Sequence, residues 1–319
     1  MRLGRSDRIE VPRLQTGDRA PAVSGRAVLL AALASAAATL LLLRFGSGHT
    51  QASRRFAALP QFDVWIWIYA AEVGGAAALG IASFPAFRLL ARTTGRRASA
   101  RAVAAWPVLG VLLWLLGPRA VGNIPLWLGF ARFTAANAIA GAFITPSFAG
   151  LLLVQTRLSA LARETASAVN EGKAGELVVE LLWLRTAMLR FLATFAATIT
   201  AGLLALGALR AAVLASDNPA AQYNTPLRLL TYGGVLTAMT ALIFVPAYVA
   251  WQERVSELRD TLHPVPEDGR PSHDWFQARD DLDALLPARS SASRVLATAF
   301  GILAPLAASV VSALLSASR

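Results

Sequence analysis

Long apolar stretches alternate with polar ones that carry the arginines. The apolar stretches run over 27–43, 64–87, 102–117, 133–154, 191–209, 229–251 and 295–315. A hydrocarbon layer of ~30 Å needs about 20 helical residues. Each stretch therefore predicts a crossing helix, with 102–117 the shortest and Pro107 near its start. Open strand edges cannot be satisfied in lipid, and Ala- and Leu-rich runs of this length are helical. The pattern predicts an all-α integral membrane protein with about seven transmembrane helices. Residues 1–26 form a basic arm ahead of one polytopic domain over 27–319. That leader is long for a signal peptide, and the first run exceeds a usual signal core, so the first run is expected to stay as a span.

Two of the polar stretches, 155–190 and 252–294, have a helical period of their own. Leu151, Gln155, Leu158, Ala162, Thr165 and Val169 step by 4 and 3 along one face, and Leu177, Leu181, Leu184 and Met188 form the stripe of the returning helix. Gly172, Lys173 and Gly175 mark the turn between them. In the second stretch Trp251, Val255, Leu258 and Leu262 lead out. Pro264, Pro266, Gly269 and Pro271 break the chain. Asp274 is the predicted cap of a helix whose stripe is Trp275, Ala278, Leu282 and Leu285. Two helical hairpins thus extend beyond the membrane. Their apolar faces can pack on each other in a small platform, and part of them can dock a partner. The partner-docking face would comprise Leu177, Leu181, Leu184, Trp275 and Leu282.

The two stretches also resemble each other. Gln155, Arg157, Ser159 and Leu161 recur as Gln252, Arg254, Ser256 and Leu258. Arg190, Leu192, Ala193 and Thr194 recur as Arg294, Leu296, Ala297 and Thr298. The order is kept, which predicts an internal parallel repeat of span, hairpin and span.

Composition narrows the class further. Of 319 residues, 55% are hydrophobic and 15% charged, against about 25% charged in soluble domains. Basic residues number 30 and acidic ones 19, a net charge of +11. All the basic residues but Lys173 are arginine. With Ala, Gly and Pro also abundant, this usage points to a GC-rich bacterial genome and hence to the cytoplasmic (inner) membrane. The arginines sit beside apolar runs, so lipid head groups rather than nucleic acid are the expected counter-charge. With the N-terminus inside, the segments 1–26, 88–101, 155–190 and 252–294 carry 22 basic residues and the opposite side carries 8. This bias predicts an N-in, C-out orientation. Trp65, Trp67, Tyr69, Trp127 and Trp251 stand near predicted span ends, where interfacial aromatic belts form.

Glu72 is the one carboxylate inside a predicted span. Charge at the bilayer centre costs ~2.5–3.5 kcal/mol on insertion scales, so such a residue is a functional candidate by default. It can form a polar site for a proton or cation with Tyr69, one turn away, and Asn137 on another span. Alternatively the second span starts at Val73, and Glu72 faces water. The glycines 74, 75, 80, 141, 202 and 207 are expected to mark close helix contacts. Pro146, Pro246 and Pro305 stand where helices can kink.

Catalytic and cofactor chemistry is not written in the chain. There is no cysteine, none of the three histidines lies in a span, and no zinc-binding spacing occurs. Lys173, in a predicted turn, cannot hold retinal within a span. The Gly-x-Ser-Gly pattern of rhomboid proteases is absent around Ser47. Asp280, Asp281 and Asp283 split over two helix faces and fit a solvated acidic surface better than a metal site. The chain reads as a non-enzymatic membrane protein without cofactor. It would act through helix–helix and protein–protein contacts as a sensor, scaffold or assembly subunit. Its expected partners are membrane lipid and either a second protein or a second copy, bound through the hairpins. The alternative is a small-solute or ion transporter or a homo-oligomeric channel. A lipid enzyme ranks third.

Overall fold

The computed structural model describes residues 23–45, 51–121, 130–216, 225–267, 269–286 and 292–317. Within them the elements are α1 (Gly25–Arg44), α2 (Gln51–Ala57), α3 (Pro60–Thr94), α4 (Arg96–Val121), α5 (Phe130–Asn170), α6 (Ala174–Leu214), α7 (Pro226–Leu262), α8 (His273–Leu285) and α9 (Ala292–Ala317), with no strand among the described residues. Five helices, α1, α3, α5, α6 and α7, are long and apolar enough to cross a membrane. The two remaining apolar runs fall in α4 and α9, and the described apolar part of α9, Gly301–Ala313, is shorter than a crossing. Much of the 1–26 arm, the Gly46–His49 stretch and Trp127 lie outside the described residues.

Local chemistry sets the helix ends. Ser24 caps α1, its hydroxyl accepting from the Ala27 N–H at 3.2 Å. Pro60 and Pro226 open α3 and α7, where a missing N–H costs nothing. Gly172 closes α5 at φ 69°, while the Lys173 N–H reaches back to the Ala168 carbonyl at 2.8 Å. Ser272, not Asp274, caps α8, accepting from the Trp275 N–H at 3.2 Å. Asp274 sits inside the first turn instead, where its charge favours the positive helix end.

The central helix is α3, which packs on α1, α5 and α6; α9 lies against α6 and α7. Small residues allow the close approaches, as expected in membranes, where apolar surface gains little from leaving lipid and van der Waals packing dominates. A Cβ on Gly74 would come 2.8 Å from the Ala32 carbonyl oxygen of α1. One on Gly80 would collide with the Phe143 backbone of α5, and one on Gly207 would lie 2.5 Å from Ser312 of α9. Gly141 has ordinary room beside Trp106, and Gly75 faces open space, so these two do not mark close contacts. Leu29, Leu30, Leu33 and Leu41 of α1 project outward, as lipid-facing side chains should.

The aromatics are mostly not a belt. Phe62, Trp65, Tyr69 and Phe133 form a continuous ring stack between α3 and α5. Trp65 and Tyr69 are buried in it, and Trp67 alone of that trio points out. Trp251 is fully buried, and its indole N–H donates to the Leu181 carbonyl at 2.9 Å. Tertiary packing recruits these rings because each buries a large apolar face.

α5 and α6 are unbroken helices of 41 residues each, about 60 Å long. That is roughly twice a hydrocarbon layer, so both continue beyond the apolar bundle and meet in the 171–173 turn. The second stretch is built differently. α7 ends at Leu262, α8 has 13 residues, and α9 starts separately at Ala292. The returning limb, continuous in the first hairpin, is interrupted in the second.

Candidate functional site

Glu72 stands level with the middle of two apolar helices. Half a turn along α3, Gly74 rests against Ala32 and Ala36, near the centre of α1. The Glu72 carboxylate itself lies against Gly202, where an added Cβ would be 3.0 Å from Oε1. Gly202 is close to the midpoint of the 191–209 apolar run. Glu72 Oε2 and the Tyr69 hydroxyl are buried and have no hydrogen-bond partner among the described residues. The structure thus keeps Tyr69 one turn from Glu72 on α3 and sets Gly202 of α6 against the carboxylate. It does not add Asn137, which is exposed on α5 and donates to its own helix at the Phe133 carbonyl, 3.0 Å away. The Phe133 ring lies over Tyr69, so α5 offers this cluster a ring rather than an amide.

The hairpin platform holds the densest polar chemistry. Arg157 is completely buried. Its Nε donates to Glu180 Oε1 at 2.6 Å and its Nη2 to Oε2 at 3.1 Å, a bidentate pair between α5 and α6. Glu164, one-quarter exposed, receives Nη1 at 3.2 Å. One cation thus serves two carboxylates, and this ties the two limbs of the hairpin at a fixed register. The position matched to Arg157 in the second stretch, Arg254, is part-exposed and pairs with its own neighbours Glu253 and Glu257. Equivalent positions by sequence therefore have unlike surroundings.

The face expected to receive a partner turns inward. Leu177, Leu181 and Leu184 are buried in one cluster with Trp251, Val255 and Leu258 of α7. They are unavailable to a second protein because the chain covers them itself. Leu282 is half-buried against the same cluster. Trp275 is half-buried too, its indole N–H donating to the Pro264 carbonyl at 2.8 Å and its ring carrying the Arg279 guanidinium at 4.5 Å. Arg279 also ion-pairs with Asp260. Asp283 is buried and faces Arg259 at 3.3 Å, so it serves to dock α8 on α7 and is not part of an open acidic face. Among the described residues of the platform, the large apolar side chains that point outward are Val179, Val265, Phe276 and Leu285.

Sequence inspection missed the Arg157–Glu180 pair. Its signal was present: a carboxylate at Glu180 on the otherwise apolar Leu177–Leu184 stretch, facing an arginine across a predicted turn. No family model matches the chain, and neither the curated proteins nor the solved structures provide a match.

Proposed function

We propose that this chain is a non-enzymatic multi-pass membrane protein that acts through contacts made by its hairpin platform, as a sensor, scaffold or assembly subunit. The observation that carries this is the continuity of α5 and α6 from the apolar bundle into the platform, locked by Arg157 and Glu180. A continuous helix gives a displacement at one end a direct mechanical route to the other. In this proposal α4 and α9 also cross the bilayer, giving seven spans. The N-terminus and the platform lie in the cytoplasm of a bacterial cell, the C-terminus outside. The 22-to-8 distribution of basic residues supports that orientation.

Chemical cross-linking in native membranes tests it. A stoichiometric second protein cross-linked to 155–190 or 252–285 is the expected result, with Phe276 and Val265 near the contact. Self-cross-links alone would overturn the subunit role and put a homo-oligomeric transporter or channel first.

That second function has its own support in Glu72. If α1 and α6 cross the bilayer, the carboxylate stands near mid-depth, where ionisable groups line proton and ion paths. Glu72→Gln keeps the shape and removes the titratable group. As a carrier, the protein in liposomes is expected to lose proton- or cation-coupled flux in this variant while folding normally. Unchanged flux in a transporting preparation would remove Glu72 from the path. The absence of flux in wild type and variant alike would remove the carrier function itself.

A further inference from the structure

On the flank of the bundle, α1, α3 and α6 leave a groove of about 550 Å³. That lies within the ~300–1,000 Å³ typical of sites for small molecules. Val28, Leu79 and Ala193 make its sides apolar. Arg190 also lines it, at the end from which the first hairpin leaves the bundle. This guanidinium is exposed and has no ion pair among the described residues. Among the described residues the lining includes no carboxylate.

A second observation lies at the base of the groove. Ser83 Oγ of α3 and Thr194 Oγ1 of α6 are 2.9 Å apart, and both residues are buried. Two hydroxyls carry two protons, and the bond between them uses one. With Ser83 donating to Thr194, the Thr194 O–H has no acceptor among the described residues, and an unsatisfied buried donor is destabilising. An acceptor inside the groove would remove that cost. Arg190 and Thr194 are four residues apart on one helix face, about 6 Å along the axis. An anion and a carbonyl at that separation, joined to an apolar chain, describe the phosphate, ester and acyl chain of a glycerophospholipid.

We propose that this groove binds one anionic glycerophospholipid. Its phosphate pairs with Arg190, an ester carbonyl accepts from the Ser83–Thr194 pair, and an acyl chain lies along Val28, Leu79 and Ala193. A zwitterionic lipid is disfavoured, because no carboxylate among the described lining residues stands ready to receive its ammonium group.

Native mass spectrometry of the full chain in mild detergent tests this, with phosphatidylglycerol and phosphatidylcholine as probes. One phosphatidylglycerol retained in preference to phosphatidylcholine is expected. Arg190→Gln should weaken retention about tenfold, the loss of one charge-assisted hydrogen bond. Arg190→Lys should restore most of it, and Ala193→Trp should fill the groove and exclude the lipid. Millimolar inorganic phosphate should leave the lipid bound. Equal retention of both lipids, equal retention by wild type and Arg190→Gln, or displacement by inorganic phosphate would each overturn the proposal. If Ala193→Trp does not fold, the Gln and Lys variants at Arg190 decide the matter alone.

Discussion

Arg157→Leu is expected to open the first hairpin. Removing the guanidinium leaves Glu180, itself 4% exposed, as a buried carboxylate with no cation. Breaking one side of such a pair costs about 3–5 kcal/mol, because the remaining charge stays desolvated. Glu164 is less affected, since it already reaches water. The variant should be cut by protease within 163–185 under conditions where wild type resists, with a lower unfolding midpoint in detergent. The decisive control is Arg157→Leu combined with Glu180→Leu. Replacing both partners by apolar groups is often neutral or stabilising, so the double variant should regain most of the lost stability. A double variant as fragile as the single one would show that the pair is not what holds the limbs together.

Gly80→Ala is expected to disrupt the α3–α5 contact. The added methyl would collide with the Phe143 carbonyl oxygen and lie 2.9 Å from its carbon, and both atoms are backbone. A flexible side chain could swing aside; a helix backbone cannot, so the helices must separate. Overpacking of this kind costs typically about 1–3 kcal/mol. The opposing gain in helix propensity from Gly to Ala is about 1 kcal/mol in water. The collision therefore wins, and the loss should register as a lower midpoint in detergent unfolding. Gly75→Ala is the matched control, because nothing stands within 4 Å of its Cβ. It should be neutral or slightly stabilising. Equal effects at the two glycines would mean that the α3–α5 approach does not limit packing.

Particular residues show how far the sequence could be read. Gly74, Gly80, Gly202 and Gly207 were legible as contact residues, because small side chains in apolar helices usually mark close approach. Gly75 and Gly141 look the same in sequence and differ because they face elsewhere. Glu72 stands out in any hydropathy pattern, and its Tyr69 neighbour follows from helical spacing. Asn137 was a plausible third member by type alone. Rotation of α5 turns it outward and brings Phe133 in instead. Leu177, Leu181 and Leu184 showed an apolar stripe, but a stripe does not name what covers it. Trp251, which resembles an interfacial anchor in sequence, is the covering residue.

The sequence by itself determined helix class, five of the seven apolar helices read from it as spans, and the turn at Gly172. These follow from local terms: hydropathy summed over about 20 residues, periodicity, and the positive φ at Gly172 that side-chain-bearing residues rarely adopt. Only the tertiary structure decided which faces meet. It paired Arg157 with Glu180, interrupted the returning limb of the second hairpin, buried the leucine stripe and set Glu72 against Gly202. Helix rotation and register are fixed by contacts between residues far apart in the chain. No local window carries the energies of those contacts.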